Sequence, residues 1–158
     1  MSTAGHVYEV PAVASAQAAL RRAVRARLAG QLYDDSGSVP QGIAIYSLSD
    51  PRELRELRYI GQTRVPRRRL LQHLNTARLW LPDERPWWVR SPQLRPLYEW
   101  MRELYRAHGC LPLMVVGAWV SEDQACAAEQ AQIRTCLAQR LPLLNVETER
   151  LQRQLQLL

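Results

Sequence analysis

Two tyrosines, an arginine–histidine pair, one glutamate and one asparagine are the residues of this sequence whose types and spacing could do chemistry. Tyr46 lies in Ala44-Ile45-Tyr46 and Tyr59 in Tyr59-Ile60-Gly61. Arg69 and His73 are four apart, so a helix places both on one face. Glu129 interrupts an apolar stripe, with Ala125 four residues before it and Ile133 four after. A carboxylate facing a core is costly unless a cation or hydrogen-bond donors compensate it. Asn145 ends the run Pro142-Leu143-Leu144-Asn145. Between Glu56 and Asp83 there is no acid, while Arg58, Arg64, Arg67, Arg68, Arg69 and Arg78 fall inside that window, as much charge as the formal +6 of the whole chain. Such a focus attracts a polyanion, and the planar guanidinium fork suits phosphate. A solvated helix face has the same composition, so charge alone does not decide.

These residues need elements to position them. Residues 42–48 are β-like and Ser49-Asp50-Pro51 breaks the run; a second short strand covers 57–61 after an Arg/Glu-rich connection. Alternation puts Ala44, Tyr46 and Leu48 on one face, and Leu57, Tyr59 and Gly61 on one face, so antiparallel pairing sets the tyrosines side by side. Pro66 suits the first turn of a helix that carries Leu70, Leu74 and Ala77 to about residue 80. Residues 81–92, Pro-rich with Trp87-Trp88, read as an irregular loop in which the tryptophans pack rather than stack on bases. A helix over 93–108 turns Leu94, Leu97, Met101 and Leu104 inward and stops at Gly109. Residues 113–120 form the best buried strand. Ser121 with Gln124 resembles a capping box for a helix through Ala125, Ala128, Ile133 and Leu137. Residues 143–146 read as extended. The order of elements predicts an α+β domain over 41–147 with an insertion near 81–92. It is preceded over 1–40 by a helical extension (15–32, with Leu20, Val24 and Leu28 four apart) and a linker from Asp34. A tail helix follows over 148–158.

The 158 residues, 47% apolar and 23% charged, suffice for one domain with a real core. The longest apolar run, 111–120, contains Pro112 and Gly117 and is too short to cross a bilayer. No positive charge precedes the Ala-rich stretch near the start, the wrong polarity for a secretory signal. Cys110, Cys126 and Cys136 have no C-x-x-C spacing, which argues against a disulfide framework and a zinc knuckle. A reduced, cytoplasmic protein away from the membrane is expected.

In order along the chain, these residues resemble the GIY-YIG nuclease superfamily over about 42–145, roughly two thirds of the sequence. The sharpest part is Tyr59-Ile60-Gly61-Gln62-Thr63, with Arg69-Leu70 eight residues after the glycine and then His73. The helix carrying Glu129 and the Pro142-to-Asn145 run complete the series. Ala44 stands where the family name has glycine, Gln62 where many relatives carry lysine, and the Pro/Trp loop with its following helix looks like an insertion.

The resemblance implies a fold and a chemistry. The fold would be an antiparallel three-stranded sheet flanked by helices. The chemistry would be hydrolysis of a phosphodiester in DNA, with RNA left open because such a site reads phosphate more than sugar. Glu129 would hold one divalent metal, Mg²⁺ with Mn²⁺ as substitute. Arg69 would grip the scissile phosphate, and Tyr46 or Tyr59 would orient or deprotonate the water, Tyr46 being the favoured base. A phenol titrates near ~10, so that role needs a lowered pKa or a relay, and His73, near neutrality by default, would be the relay or the base. Asn145 would support the metal shell or the Glu129 carboxylate. Arg64, Arg67, Arg68, Arg78 and Gln62 would touch nucleic acid, and Gly61 would be a structural residue of the motif. No large separate DNA-binding domain is visible, so specificity is weak, internal, or supplied by a partner protein or a homodimer. Two rivals stay open: a catalytically silent nucleic-acid-binding module with a steep salt dependence, and an interaction domain whose basic surface docks an acidic protein.

Overall fold

The computed structural model describes residues 31–37 and 41–145. The expected tail helix, the linker's last residues and nearly all of the N-terminal extension lie outside them. The described residues form an α+β fold, with four strands and three helices in the order β1 (Leu32–Asp34), β2 (Ile43–Asp50), β3 (Glu53–Thr63), α1 (Pro66–Ala77), a 3₁₀ turn (Trp87–Arg90), α2 (Arg95–His108), β4 (Leu113–Val120) and α3 (Glu122–Ala138). Among the described residues no helix is long and apolar enough to cross a membrane.

The sheet is mixed and four-stranded, in the order β1-β4-β2-β3, which corrects the expected three antiparallel strands. β4–β2 and β2–β3 are antiparallel; the extra strand, β1, runs parallel to β4. Leu32 and Asp34 thus belong to a strand rather than to a helix end and a linker. Three residues are too few to display a period, and β1 exists because β4 would otherwise leave its outer edge unpaired. Side chains fasten it. Gln31 Nε2 donates to the carbonyl of Leu111 at 2.8 Å. Asp34 accepts from the Ser36 hydroxyl at 2.6 Å and from Trp119 Nε1 at 2.9 Å.

β2 is central and buried nearly throughout, with alternate residues serving two cores. Ala44, Tyr46 and Leu48 join Leu70, Leu74, Leu97 and Met101 beneath α1 and α2. Ile45 joins Ile60, Ile133, Cys136 and Leu137 beneath α3. β3 begins four residues earlier than expected: the Arg/Glu-rich connection is itself strand, closed onto β2 by a tight turn in which Asp50 Oδ1 accepts from the Arg52 N–H at 2.8 Å. An irregularity in register follows. Leu48 faces Tyr59 and Ser49 faces Leu57, so Arg58 is extra. The bulge sends Leu57 to the α3 side while Tyr59 packs on the α1–α2 side, which corrects the expectation that they share a face.

Helix boundaries follow local chemistry. α1 starts at Pro66 and ends earlier than expected because Arg78 takes a left-handed conformation, φ 58°. α2 ends as expected, at a left-handed Gly109. Ser121 is the N-cap of α3 but its hydroxyl makes no capping bond, so the expected capping box does not form. The Pro/Trp segment is built rather than irregular: Trp88 is buried, donates Nε1 to the Thr76 carbonyl at 2.7 Å and lies under the Arg102 guanidinium, whereas Trp87 is exposed.

β3 is an edge strand, and residues 144–145 cover its edge without forming a strand. Leu144 N–H donates to the Arg58 carbonyl. Asn145 reads Ile60 at both ends: its Oδ1 accepts from the Ile60 N–H at 3.0 Å and its Nδ2 donates to the Ile60 carbonyl at 2.7 Å. Truncating it would strand two buried backbone groups, each costing about 1–3 kcal/mol. Asn145→Ala is therefore expected to lower stability by on the order of 3 kcal/mol in urea unfolding. A loss below about 1 kcal/mol would show that water replaces the amide.

Candidate active site

Tyr46 reaches its place through two backbone features. β4 bulges at Gly117, since Ile45 faces Ala118 while Tyr46 faces Val116, which re-aims the β2 side chains at that point. Opposite Tyr46 on β3 stands Gly61, where a Cβ would lie 2.5 Å from both Cζ and the hydroxyl oxygen of Tyr46. The phenol ring therefore lies across the face of β3 in space that only glycine leaves. Its hydroxyl is 2.8 Å from Nε2 of His73 on α1, and Arg69, one turn earlier, donates Nε–H to the same oxygen at 3.4 Å. On its other side the imidazole places Nδ1 3.2 Å from the hydroxyl of Tyr98 on α2. Tyr59 completes the cluster, its ring 6.2 Å from that of Tyr46 and 5.6 Å edge-on from His73.

Burial sets the protonation states. His73 has no exposed surface, and desolvation, with the nearby Arg69 charge adding to it, pushes its pKa down to about 3. It is neutral at physiological pH, which corrects the expectation of titration near neutrality. Tyr46 is 1% exposed, and desolvation, helped by Tyr59, raises its pKa well above the ordinary phenol value, with Arg69 opposing. Burial likewise raises Tyr59 and Tyr98, with Arg69 opposing both and Glu129 adding to the rise at Tyr59. At Arg69 desolvation is the largest influence and works against the charge, but the Tyr46 hydrogen bond and the electrostatic contributions of Tyr46, Tyr59 and Tyr98 together outweigh it and the pKa rises. Tyr46 thus cannot act as a base by a lowered pKa; any proton it gives up has His73 Nε2 as its neighbour.

The His73 shift has a consequence for stability. Its folded pKa lies below the ordinary 6.5, so the unfolded chain takes up the proton first. The stability it contributes is complete above about pH 6.5 and is lost as pH falls from there toward 3, about 3 kcal/mol by pH 4. Urea midpoints measured from pH 7 to 4 should show this slope, and His73→Gln should lack that part of it.

Glu129 belongs to the opposite face of the sheet. α3 carries it to a cleft of about 330 Å³ at the β3 edge, lined by Tyr59, Gln62, Cys126, Glu129, Ile133 and Asn145. Gln62 Nε2 donates to Glu129 Oε2 at 2.6 Å, so Gln62 orients the carboxylate. The half-buried acid is thus compensated by a donor, the condition its apolar flanks impose. A single carboxylate beside an open cleft suits a small hard cation that keeps most of its waters. No group of three or more His, Cys, Asp or Glu that could form a metal cage occurs among the described residues. A larger cleft of about 940 Å³ crosses α2 and the 3₁₀ turn, and contains none of the cluster.

The structure gathers Tyr46, Tyr59, Gly61, Arg69 and His73 on one face, and Gln62, Glu129 and Asn145 at the edge. Tyr59 is common to both. The other arginines spread out. Arg64 pairs with Glu122 of α3 at 2.8 Å; Arg78 caps the far end of α1 near Glu84; Arg58 pairs with Glu56. Arg67 and Arg68 are exposed on the first turn of α1, the end nearer Arg69. Sequence reasoning missed Tyr98, although a signal was present: it lies four after Leu94 and three before Met101, on the inward stripe of α2, where a hydroxyl needs a partner. No family model, no curated protein and no solved structure matches this chain.

Proposed function

We propose that the protein is a metal-dependent endonuclease of the GIY-YIG type, acting in the cytoplasm on phosphodiester bonds of DNA. One observation carries the reading: residues from β2, β3, α1 and α3, separated by up to 83 positions, meet at Tyr59, which packs near Tyr46 and His73, is influenced by the Arg69 charge and lines the cleft that holds Glu129. Phosphodiester hydrolysis needs positive charge at the phosphate, an oriented water and somewhere for its proton to go. Arg69 meets the first need, half-buried where its charge is little screened and fixed by Tyr46. Tyr59 meets the second from the wall of the cleft, holding a water by its hydroxyl. The third falls to Tyr46 and His73 behind it, two neutral groups in contact at 2.8 Å. Glu129, oriented by Gln62, would hold Mg²⁺ or Mn²⁺, which supplies charge neutralisation at the phosphate when bound. Exposed Arg67 and Arg68 extend the positive surface along the strand, and RNA or a partner that confers specificity fits the same surface.

The test is nicking of supercoiled plasmid at low salt by the full chain with Mg²⁺, Mn²⁺ or EDTA. Metal-dependent conversion to the nicked form supports the reading. Salt-sensitive binding without scission under every metal, on duplex, branched and single-stranded DNA and on RNA, replaces it with a silent binding module.

A further inference from the structure

We infer that Tyr98, contributed by the helix that follows the Pro/Trp segment, is a positioning residue that fixes the tautomer of His73. The inference rests on the nuclease reading for its role in turnover, but its geometry is independent of that reading. A neutral imidazole has one nitrogen that donates and one that accepts. Arg69 can only donate to the Tyr46 oxygen, and the short 2.8 Å contact to His73 Nε2 is where we place the phenol's own proton. Nε2 is then the acceptor, and the ring proton sits on Nδ1, facing the Tyr98 hydroxyl at 3.2 Å. With that oxygen in place the buried Nδ1–H is satisfied and Nε2 stays open toward Tyr46. When Tyr46 releases its proton, the O–H bond breaks, an Nε2–H bond forms, and Tyr98 faces the resulting imidazolium as acceptor. An orienting partner on the far nitrogen is the general device by which a histidine base is held in its useful tautomer.

The placement of Tyr98 is itself enforced. Its ring packs 5.6 Å from Trp88, whose indole is tied to the Thr76 carbonyl, and Arg102 covers Trp88 while donating to the carbonyls of Glu84 and Leu81. The Pro/Trp segment and α2 thus form a brace whose one polar product at the cluster is this hydroxyl. The groups facing His73 are Tyr46 from β2, Tyr59 from β3, Arg69 from its own helix and Tyr98 from α2.

Tyr98→Phe keeps the ring and its packing and removes only the oxygen. Nitrogen NMR of the full chain reads the tautomer directly, with His6 and His108 as internal controls. Wild type should show His73 protonated at Nδ1, and Tyr98→Phe should populate the Nε2–H form. Plasmid nicking should fall roughly tenfold or more in the variant, with its rising pH limb displaced downward by about one pH unit, because the imidazolium loses its acceptor. A purely structural role would scale the rate without moving the limb. If the tautomer changes but wild type never cuts, the nuclease reading falls and the tautomer assignment stands. A wild-type Nε2–H form, or an unchanged Nδ1–H form in Tyr98→Phe, overturns the inference whether or not the protein cuts DNA.

Discussion

Glu129→Ala is expected to lower metal-dependent nicking by roughly 10³-fold or more while leaving DNA affinity within about twofold. The two effects separate because the groups are separate. Affinity for a strand comes from arginine contacts to phosphates, and Arg67 and Arg68 lie on α1 outside the Glu129 cleft. Glu129 is the acid of that cleft and, with Gln62 as donor, is held in a fixed orientation. On the proposed reading its removal takes away the ion's anchor, so added Mn²⁺ should not restore the rate. Glu129→Gln sharpens the result, since it keeps an acceptor for the Gln62 amide and loses only the charge. Equal loss in Ala and Gln variants assigns the effect to charge. Full activity in either one removes Glu129 from the mechanism.

The second large effect is structural and follows from a single methyl group. In Gly61→Ala the new carbon would stand 2.5 Å from the Tyr46 ring carbon and hydroxyl oxygen. The ring cannot swing aside cheaply: Tyr46 is buried, and His73 and Arg69 bind its hydroxyl. Tilting it away breaks the 2.8 Å contact and leaves the His73 nitrogen unsatisfied in the core. Strain and the lost bond together should cost about 3–5 kcal/mol in urea unfolding, and nicking should fall with it. Gly117→Ala is the control, because the nearest atom to its added carbon is 3.9 Å away; it should cost under about 1 kcal/mol. In a Tyr46→Leu background Gly61→Ala should cost much less than in wild type, without cleavage returning, and that coupling exceeds what distant sites show. Additive losses in the double variant would place the strain elsewhere.

Several elements were legible because their signals are local. β4 falls on the residues its apolar run indicates, and the arginine–histidine spacing put both side chains on one face of α1, as an i, i+4 pair must. Tyr46 and Leu48 do share a face with Ala44, since side chains on a regular strand alternate. What failed was each inference carried across an irregularity. Arg58 adds one residue to β3, and a single extra residue flips the face of everything before it, so Leu57 parted from Tyr59.

The antiparallel pairing of β2 with β3 was legible, since the two strands are joined by a short turn, but partners distant in sequence were not. β1 is a strand only because β4 has an edge to satisfy, and Asn145 is fastened to Ile60 across 85 residues by an amide that matches a backbone it cannot see in sequence. Gln62 and Glu129, 67 residues apart, meet because α3 brings the carboxylate to the β3 edge. The sequence by itself determined which residue types could do chemistry and the faces on which α1 and β2 present them; that Gly61 makes room for the Tyr46 ring is decided by the tertiary structure. Tertiary structure alone decided the protonation of His73, because desolvation depends on everything packed around the ring. It also decided that a tyrosine from α2 stands at the second nitrogen, because a hydrogen bond between distant segments has no period to leave in the chain.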